Sequence, residues 1–353
     1  MAAGQSETAG RKQQVNMLNY IIKRLLLAAG TLLVILFTSY LLLRLAPGDP
    51  ARSDMMSDNS GGGTMDSKNS QLRENRAIRE QLDLDKPVIH GFTRWLGRII
   101  CRGDFGTSVA VDPGKPVTEL IAEKLPVTLK LNLCAIIITW LLAIPIGVIS
   151  AKHEGSFADR SVEFILFVLY SLPVMWVGLL LQSLLCEGGR IPIFPLKGIS
   201  PENPDDLSIW QLQFETLKHS ILPVLCLAYG GFAGLSRYAR NSMLEIIHSD
   251  YIRTAYAKGL SDGVVTWRHG FGNALITMIT LAGNLLPALI SGSVLVEYIF
   301  NIPGMGSLSL LSLSSRDYPL QMALFAFTGA LTLFSLLLCD LLYMWADPRV
   351  KLS

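Results

Sequence analysis

The sequence predicts an all-α integral membrane protein of six transmembrane helices. Half of its 353 residues are hydrophobic and 16% are charged, and the mean hydropathy is +0.41. The charges are clustered, leaving long stretches with none, which is the pattern of helices crossing lipid. Lysine and arginine also concentrate in alternate connections, and that asymmetry orients the spans.

The uncharged stretches are Leu25–Leu43, Leu131–Ala151, Phe164–Cys186, His219–Ser236, Gly270–Val296 and Pro319–Cys339. A crossing helix needs about 20 residues, so His219–Ser236 is barely sufficient. Ile299–Ser315 is uncharged too, but its Ser, Gly and Pro content reads as a re-entrant or interfacial loop. Pro145, Pro173, Pro223 and Pro287 predict kinks within spans. Gly230 and Gly234 form a GxxxG that predicts close packing inside the bundle.

Six spans put both termini on one side. Arg11, Lys12, Lys23, Arg24, Lys152, Arg160, Arg237, Arg240, Arg253, Lys258, Arg268, Arg349 and Lys351 mark that side as cytoplasmic, against Arg190, Lys197 and Arg316 in the short loops opposite. The first span has the length and flanks of a retained helix rather than a cleaved signal. Four regions follow: a disordered leader at 1–16, an anchor and first span at 17–45, an outside loop at 46–126, and a five-helix core at 127–353 with a cytoplasmic loop at 237–270.

Within the outside loop, Ser53–Ser70 with its glycine triplet reads as a flexible linker, and Gln71–Leu82 as a short amphipathic helix. Phe92, Trp95, Leu96, Ile99 and Ile100 then recur at helical spacing between Arg94, Arg98 and Arg102. Such a helix either lies in the bilayer interface or packs on the protein's own outer surface.

Several functions are disfavoured. A net charge of +2 gives no basic surplus for nucleic acid. The five cysteines contain no CxxC, so they argue for neither a metal site nor a redox site. No GxxxxGK[ST] phosphate loop occurs, so ATP is not hydrolysed by that device in this chain. Glu245-Ile246-Ile247-His248 is a single ExxH, whereas a di-iron bundle needs two. Glu163 and Asp340 lie near span ends, where a structural pairing is the expected role. A self-contained secondary transporter is the alternative class, but it is expected to show mid-membrane acids and inverted repeats.

The segment from Arg240 to Ser261 carries the most information. Ser249 or Asp250 is placed to cap a short helix, Lys258 lies near its end, and Gly259 falls where a left-handed C-cap belongs. Ser261 or Asp262 starts a second short helix running to His269. Ala255 and Ala257 leave room for close approach, and Tyr251, Ile252 and Tyr256 form a part-aromatic face suited to a partner's groove.

The run Asp250-Tyr251-Ile252-Arg253-Thr254-Ala255-Tyr256-Ala257-Lys258-Gly259-Leu260 resembles the coupling-loop signature of the dipeptide/oligopeptide/nickel branch of ABC importer permeases. The likeness continues through Arg268-His269-Gly270-Phe271-Gly272-Asn273-Ala274-Leu275, Val296-Glu297-Tyr298-Ile299-Phe300-Asn301-Ile302-Pro303-Gly304-Met305-Gly306, Arg316-Asp317-Tyr318-Pro319 and Asp347-Pro348-Arg349. Upstream, Arg44–Pro50, Leu84–Pro87, Gly103–Ser108 and Glu123–Leu129 are similar too. Arg253 and Thr254 depart from the generic Glu-Ala-Ala start, a departure typical of the peptide branch. Phe271-Gly272 replaces the generic Leu-Pro, so the likeness does not extend to the local backbone there.

The resemblance implies the type I importer permease fold in a bacterial inner membrane, as the first of two permease subunits. It implies a second homologous permease, two ABC ATPase subunits carrying the ATP and Mg²⁺, and a periplasmic binding protein that delivers a peptide or nickel. Residues Asp250 to Gly259 would couple to the ATPase, and no cofactor, metal or catalytic residue is expected in this chain.

Overall fold

The computed structural model describes residues 2–45, 79, 85–196, 198–201, 207–274 and 293–346. The expected linker Ser53–Ser70, most of the expected helix Gln71–Leu82, and the Asp347-Pro348-Arg349 motif lie outside them. So does the middle of the expected fifth span, Gly270–Val296.

Among the described residues the regular elements are helices, with two isolated β-bridges, Thr107 to Pro116 and Cys186 to Phe194. In order the helices are α1 (Ala2–Leu45), α2 (Val88–Arg102), α3 (Val117–Lys152), α4 (Phe157–Ser171), α5 (Val174–Leu185), α6 (Ile209–Ile247), α7 (Asp250–Ala257) and α8 (Asp262–Val264). A π-helix (Val265–Phe271) follows, then α9 (Val294–Ile299), α10 (Met305–Ser314) and α11 (Tyr318–Ala346). Four are long and apolar enough to cross a membrane: Ile22–Leu45 of α1, α3, α6, and Tyr318–Leu338 of α11. Counting α4 and α5 as one bent span raises this to five.

Two expectations need correction, and a third is met in larger measure than expected. The leader at 1–16 is helical from Ala2 and continuous with the first span. Its Ala, Gln, Glu, Lys and Arg residues are helix formers without proline, and extending an existing helix avoids the nucleation cost. The kink expected at Pro173 is present and large. The third span bends by 93° between α4 and α5, because Pro173 starts a new helix and Leu172 before it is extended (φ −85, ψ 126), as a residue preceding proline favours. The stretch expected as a loop at Ile299–Ser315 contains α10.

The nucleus of α10 comes from a distant acid. The Glu297 carboxylate accepts from the Ser307 N–H at 2.9 Å and from Thr128 Oγ1 at 3.0 Å, while Thr128 Oγ1 accepts from the Met305 N–H at 2.7 Å. The first-turn amides of α10 thus find acceptors. A Cβ at Gly304 would come within 2.5 Å of Glu297 Oε2, so the glycine is required for the carboxylate to approach.

Contacts divide the chain into two compact units, Met1–Lys124 with Leu308–Leu337, and Leu125–Ser307 with Leu338–Val350. In the first unit, Phe92 and Trp95 of α2 are buried with Leu36 of α1 and Met322 and Ala326 of α11. The Phe92 ring meets Phe37 edge-on at 5.2 Å. Of the two readings of this helix, packing on the protein itself holds; its aromatic face is not laid on lipid. In the same unit Asp317 is fully buried. It accepts from the Ser108 hydroxyl and from the N–H groups of Val109, Ala110 and Val111, each at 3.1 Å. Its other oxygen accepts from the Leu320 N–H at 3.3 Å and so caps α11.

In the second unit α3 crosses α6 closely at Gly147, where a Cβ would lie 2.5 Å from the Ser236 carbonyl. The glycines singled out in α6 behave differently. Among the described residues a Cβ on Gly230 or Gly234 would meet nothing within 4 Å.

The candidate coupling site

The short helix α7 forms as its sequence requires. Ser249 is extended (φ −76, ψ 151) at the N-cap position, but its hydroxyl donates to the Ile246 carbonyl at 2.6 Å instead of capping. Asp250 places a carboxylate in the first turn, where the helix dipole favours it. At the other end Gly259 has φ +78, the left-handed conformation expected of a C-cap glycine. Its N–H donates to the Tyr256 carbonyl at 2.9 Å.

The orientation of α7 differs from the sequence expectation. Ile252 and Ala255 are buried, and with Val265 and Ile246 they form a small apolar cluster. They hold the helix to the chain itself. Tyr251, Arg253, Thr254, Tyr256, Ala257, Lys258, Gly259 and Leu260 are exposed. The exposed face of α7 is therefore mixed aromatic and basic, without Ile252 and Ala255. Arg253 and Asp250 form an exposed i, i+3 pair at 3.5 Å.

A polar clamp fixes α7 to the end of α3. The Lys152 ammonium pairs with Asp262, and Asp262 also accepts from the Tyr256 hydroxyl at 2.8 Å. These hydrogen bonds, Lys152's first, hold the Asp262 carboxyl below its ordinary value. The bond to Asp262 pushes the Tyr256 phenol up. Behind them is a cavity of about 190 Å³ lined by Ile247, Ile252, Val265, Thr266 and Gly270. On the outer side Asn273 Nδ2 donates to the Tyr251 hydroxyl at 3.1 Å.

After Ser261 the chain makes one α turn and then the π-helix Val265–Phe271. The expected second short helix is present but widened in this way, and the widening ends at the Phe271-Gly272 departure. Trp267 and Phe271 stack edge-on at 5.6 Å, and Gly270 leaves room for the Met243 side chain, 3.0 Å from where its Cβ would lie.

A second clamp anchors the segment that leads into the loop. Arg240 of α6 donates to both oxygens of Asp159, from Nε at 2.9 Å and from a terminal nitrogen at 2.8 Å. Asp159 also accepts from the Ser150 hydroxyl and from the Gly155 N–H. Glu163 pairs with the same arginine at 3.1 Å, the structural role expected for it. Among the described residues no group of His, Cys, Asp and Glu is arranged to hold a metal ion. The ExxH histidine, His248, lies 3.6 Å from Glu154 on the surface.

Residues 143–352 match the family described as the binding-protein-dependent transport system inner membrane component, and residues 17–132 match the N-terminal region of such membrane components. The chain belongs to this family. It is an ABC importer permease, a multi-pass protein of the cytoplasmic membrane. It is similar to the oligopeptide transport system permease protein AppB of Bacillus subtilis, with 39% identity covering 95% of this chain and 100% of the relative. The peptidoglycan transport system permease protein YejB of Agrobacterium fabrum is 33% identical over 94% of this chain and 97% of its own. The probable peptide ABC transporter permease protein y4tP of Sinorhizobium fredii is 33% identical over 94% and 99%.

The permease brings together all ten residues singled out in the loop, on one helix and its cap. What sequence reasoning missed is the pair of clamps, Lys152–Asp262–Tyr256 and Asp159–Arg240. Part of their signal was present: Arg240 lies near the end of α6 and Asp159 near the start of α4, and a charge buried at such a place is costly unless paired.

Proposed function

We propose that this permease is the first of two membrane subunits of a peptide importer, with both termini in the cytoplasm. It pairs with a second homologous permease, docks two ATPase subunits, and receives di- or oligopeptides from a periplasmic binding protein. ATP and Mg²⁺ bind the ATPase subunits, and this chain contributes no catalytic group. The observation that carries the substrate class is the end-to-end similarity to a relative named as an oligopeptide permease. The docking assignment is supported by the exposed face of α7, held rigidly from behind by Ile252, Ala255 and the Asp262 clamp. Closure of the ATPase dimer would push that face, and the clamp would pass the motion to α3.

Reconstitution tests the reading. Proteoliposomes holding both permeases and the ATPases should take up labelled peptide when the binding protein and ATP are supplied. Uptake of nickel instead would replace the substrate class, and transport by this chain alone would refute the importer role.

A further inference from the structure

The bend between α4 and α5 leaves the Tyr170 phenol exposed among apolar side chains such as Phe167 and Trp176. Irregular backbone within a span is tolerated where it is buried in protein or faces a water-filled cavity. At this bend the Leu172 carbonyl is taken by the Tyr229 hydroxyl, while Tyr170 and Ser171 beside it are exposed. The Arg237 guanidinium lies 5.8 Å from the centre of the Tyr170 ring. We propose that Arg237 and Tyr170 line the substrate pathway, and that the Arg237 guanidinium receives the carboxylate of a passing peptide.

The direction of the Arg237 side chain carries the argument. Arg240 and Glu163 mark one level where α6 and α4 meet. Tyr170 lies seven residues farther along α4, about 10 Å of helix rise, whereas Arg237 lies three residues back along α6, about 4.5 Å. Its guanidinium therefore reaches past its own level, away from the charged helix ends, as helix side chains lean toward the N-terminus. An arginine against lipid reaches the other way, toward the headgroups. A guanidinium that points inward to an exposed tyrosine faces water.

Charge then selects the occupant. Asp159 and Glu163 are both engaged by Arg240, and among the described residues no carboxylate pairs with Arg237. An unpaired guanidinium presents a fork of donors that matches a carboxylate. Free peptides carry one at the C-terminus. Gly234 and Gly230 precede Arg237 along the same face of α6, and among the described residues nothing lies within 4 Å of a Cβ at either, which leaves room for a chain to pass. This inference rests on the peptide reading above and specifies where the cargo touches this subunit.

The test uses the full complex in proteoliposomes. Peptides with a free or an amidated C-terminus, matched for affinity to the binding protein, are supplied pre-bound. Arg237→Gln should lower free-acid uptake about tenfold relative to the amide, with Arg237→Lys between, as loss of a charge-assisted contact predicts. Gly234→Cys in the same complex should react with a water-soluble thiosulfonate, and peptide should protect it. An unchanged acid-to-amide ratio in Arg237→Gln overturns the inference. So does a Gly234→Cys that is inert, as on lipid, or that cross-links to the second permease, as in a packed seam. If the unmodified complex takes up neither peptide, the peptide reading falls and the inference with it.

Discussion

Lys152, the last residue of α3, is paired with Asp262, the first residue of the turn that follows α7. These residues are 110 apart in sequence, and their contact joins the segment after α7 to a helix long and apolar enough to cross a membrane. Because both are well exposed, the pair contributes little to global stability. Its role is direction. Asp262→Asn should leave assembly intact and lower the peptide transported per ATP hydrolysed. The double exchange Lys152→Asp with Asp262→Lys should restore part of that ratio. The Asp262 carboxyl is held below its ordinary value, so the pair is present at neutral pH and is lost as pH falls through that lowered value. Coupling measured around neutrality should show no titration from it.

Gly259 tests the exit from the helix. Among the described residues a Cβ there would meet nothing within 4 Å, so the cost within this chain is conformational. A left-handed residue other than glycine costs about 1–2 kcal/mol, and more when β-branched. Gly259→Asn should be tolerated, Gly259→Ala should reduce coupling mildly, and Gly259→Val should lose substrate-stimulated ATP hydrolysis. Equal activity in all three variants would show that the cap does not orient the helix.

Asp317 tests the first unit. Replacing it with alanine would strand the Ser108 hydroxyl and three backbone N–H groups. Buried donors left unmet cost about 1–3 kcal/mol each, so Asp317→Ala should fail to accumulate. Ser108→Ala removes one donor and should lower the melting temperature in detergent by only a few degrees. The order of these effects, read by thermal melting and expression, is the check.

Trp95 tests α2. Its side chain is buried among Leu36, Phe92 and Met322, so Trp95→Glu places a charge in an apolar seam. Protein yield should fall steeply, whereas Ile100→Glu, on the exposed face, should be neutral. The reverse order would restore the reading of this helix as an interfacial anchor.

Much of this was legible in the sequence. Local rules located α7, since the Ser249 and Gly259 positions mark its ends and need only neighbouring residues to be read. Which face points inward was not legible. Eight residues offer two apolar pairings, Ile252 with Ala255 and Tyr251 with Tyr256, and the choice depends on Val265 beneath. The break at Pro173 was legible as a kink, but its size depends on Tyr229 taking the Leu172 carbonyl. Distant pairs such as Ser108 with Asp317, 209 residues apart, leave no periodic trace in a single sequence. The helical leader was misread because polar composition was taken for disorder, although a helix already nucleated extends cheaply through such residues.

In the function proposed above, the exposed face of α7 sits against an ATPase subunit. A single cysteine at Ala257 probes it directly, since that residue is exposed and carries no hydrogen-bonding side chain. In the assembled complex a short thiol cross-linker should join Ala257→Cys to the ATPase, and ATP should change the yield. A cysteine at the buried Ile252 should not cross-link. If Ala257→Cys instead reacts with a water-soluble reagent as fast in the complex as in the isolated permease, α7 is a solvent-exposed connector and the claim is contradicted.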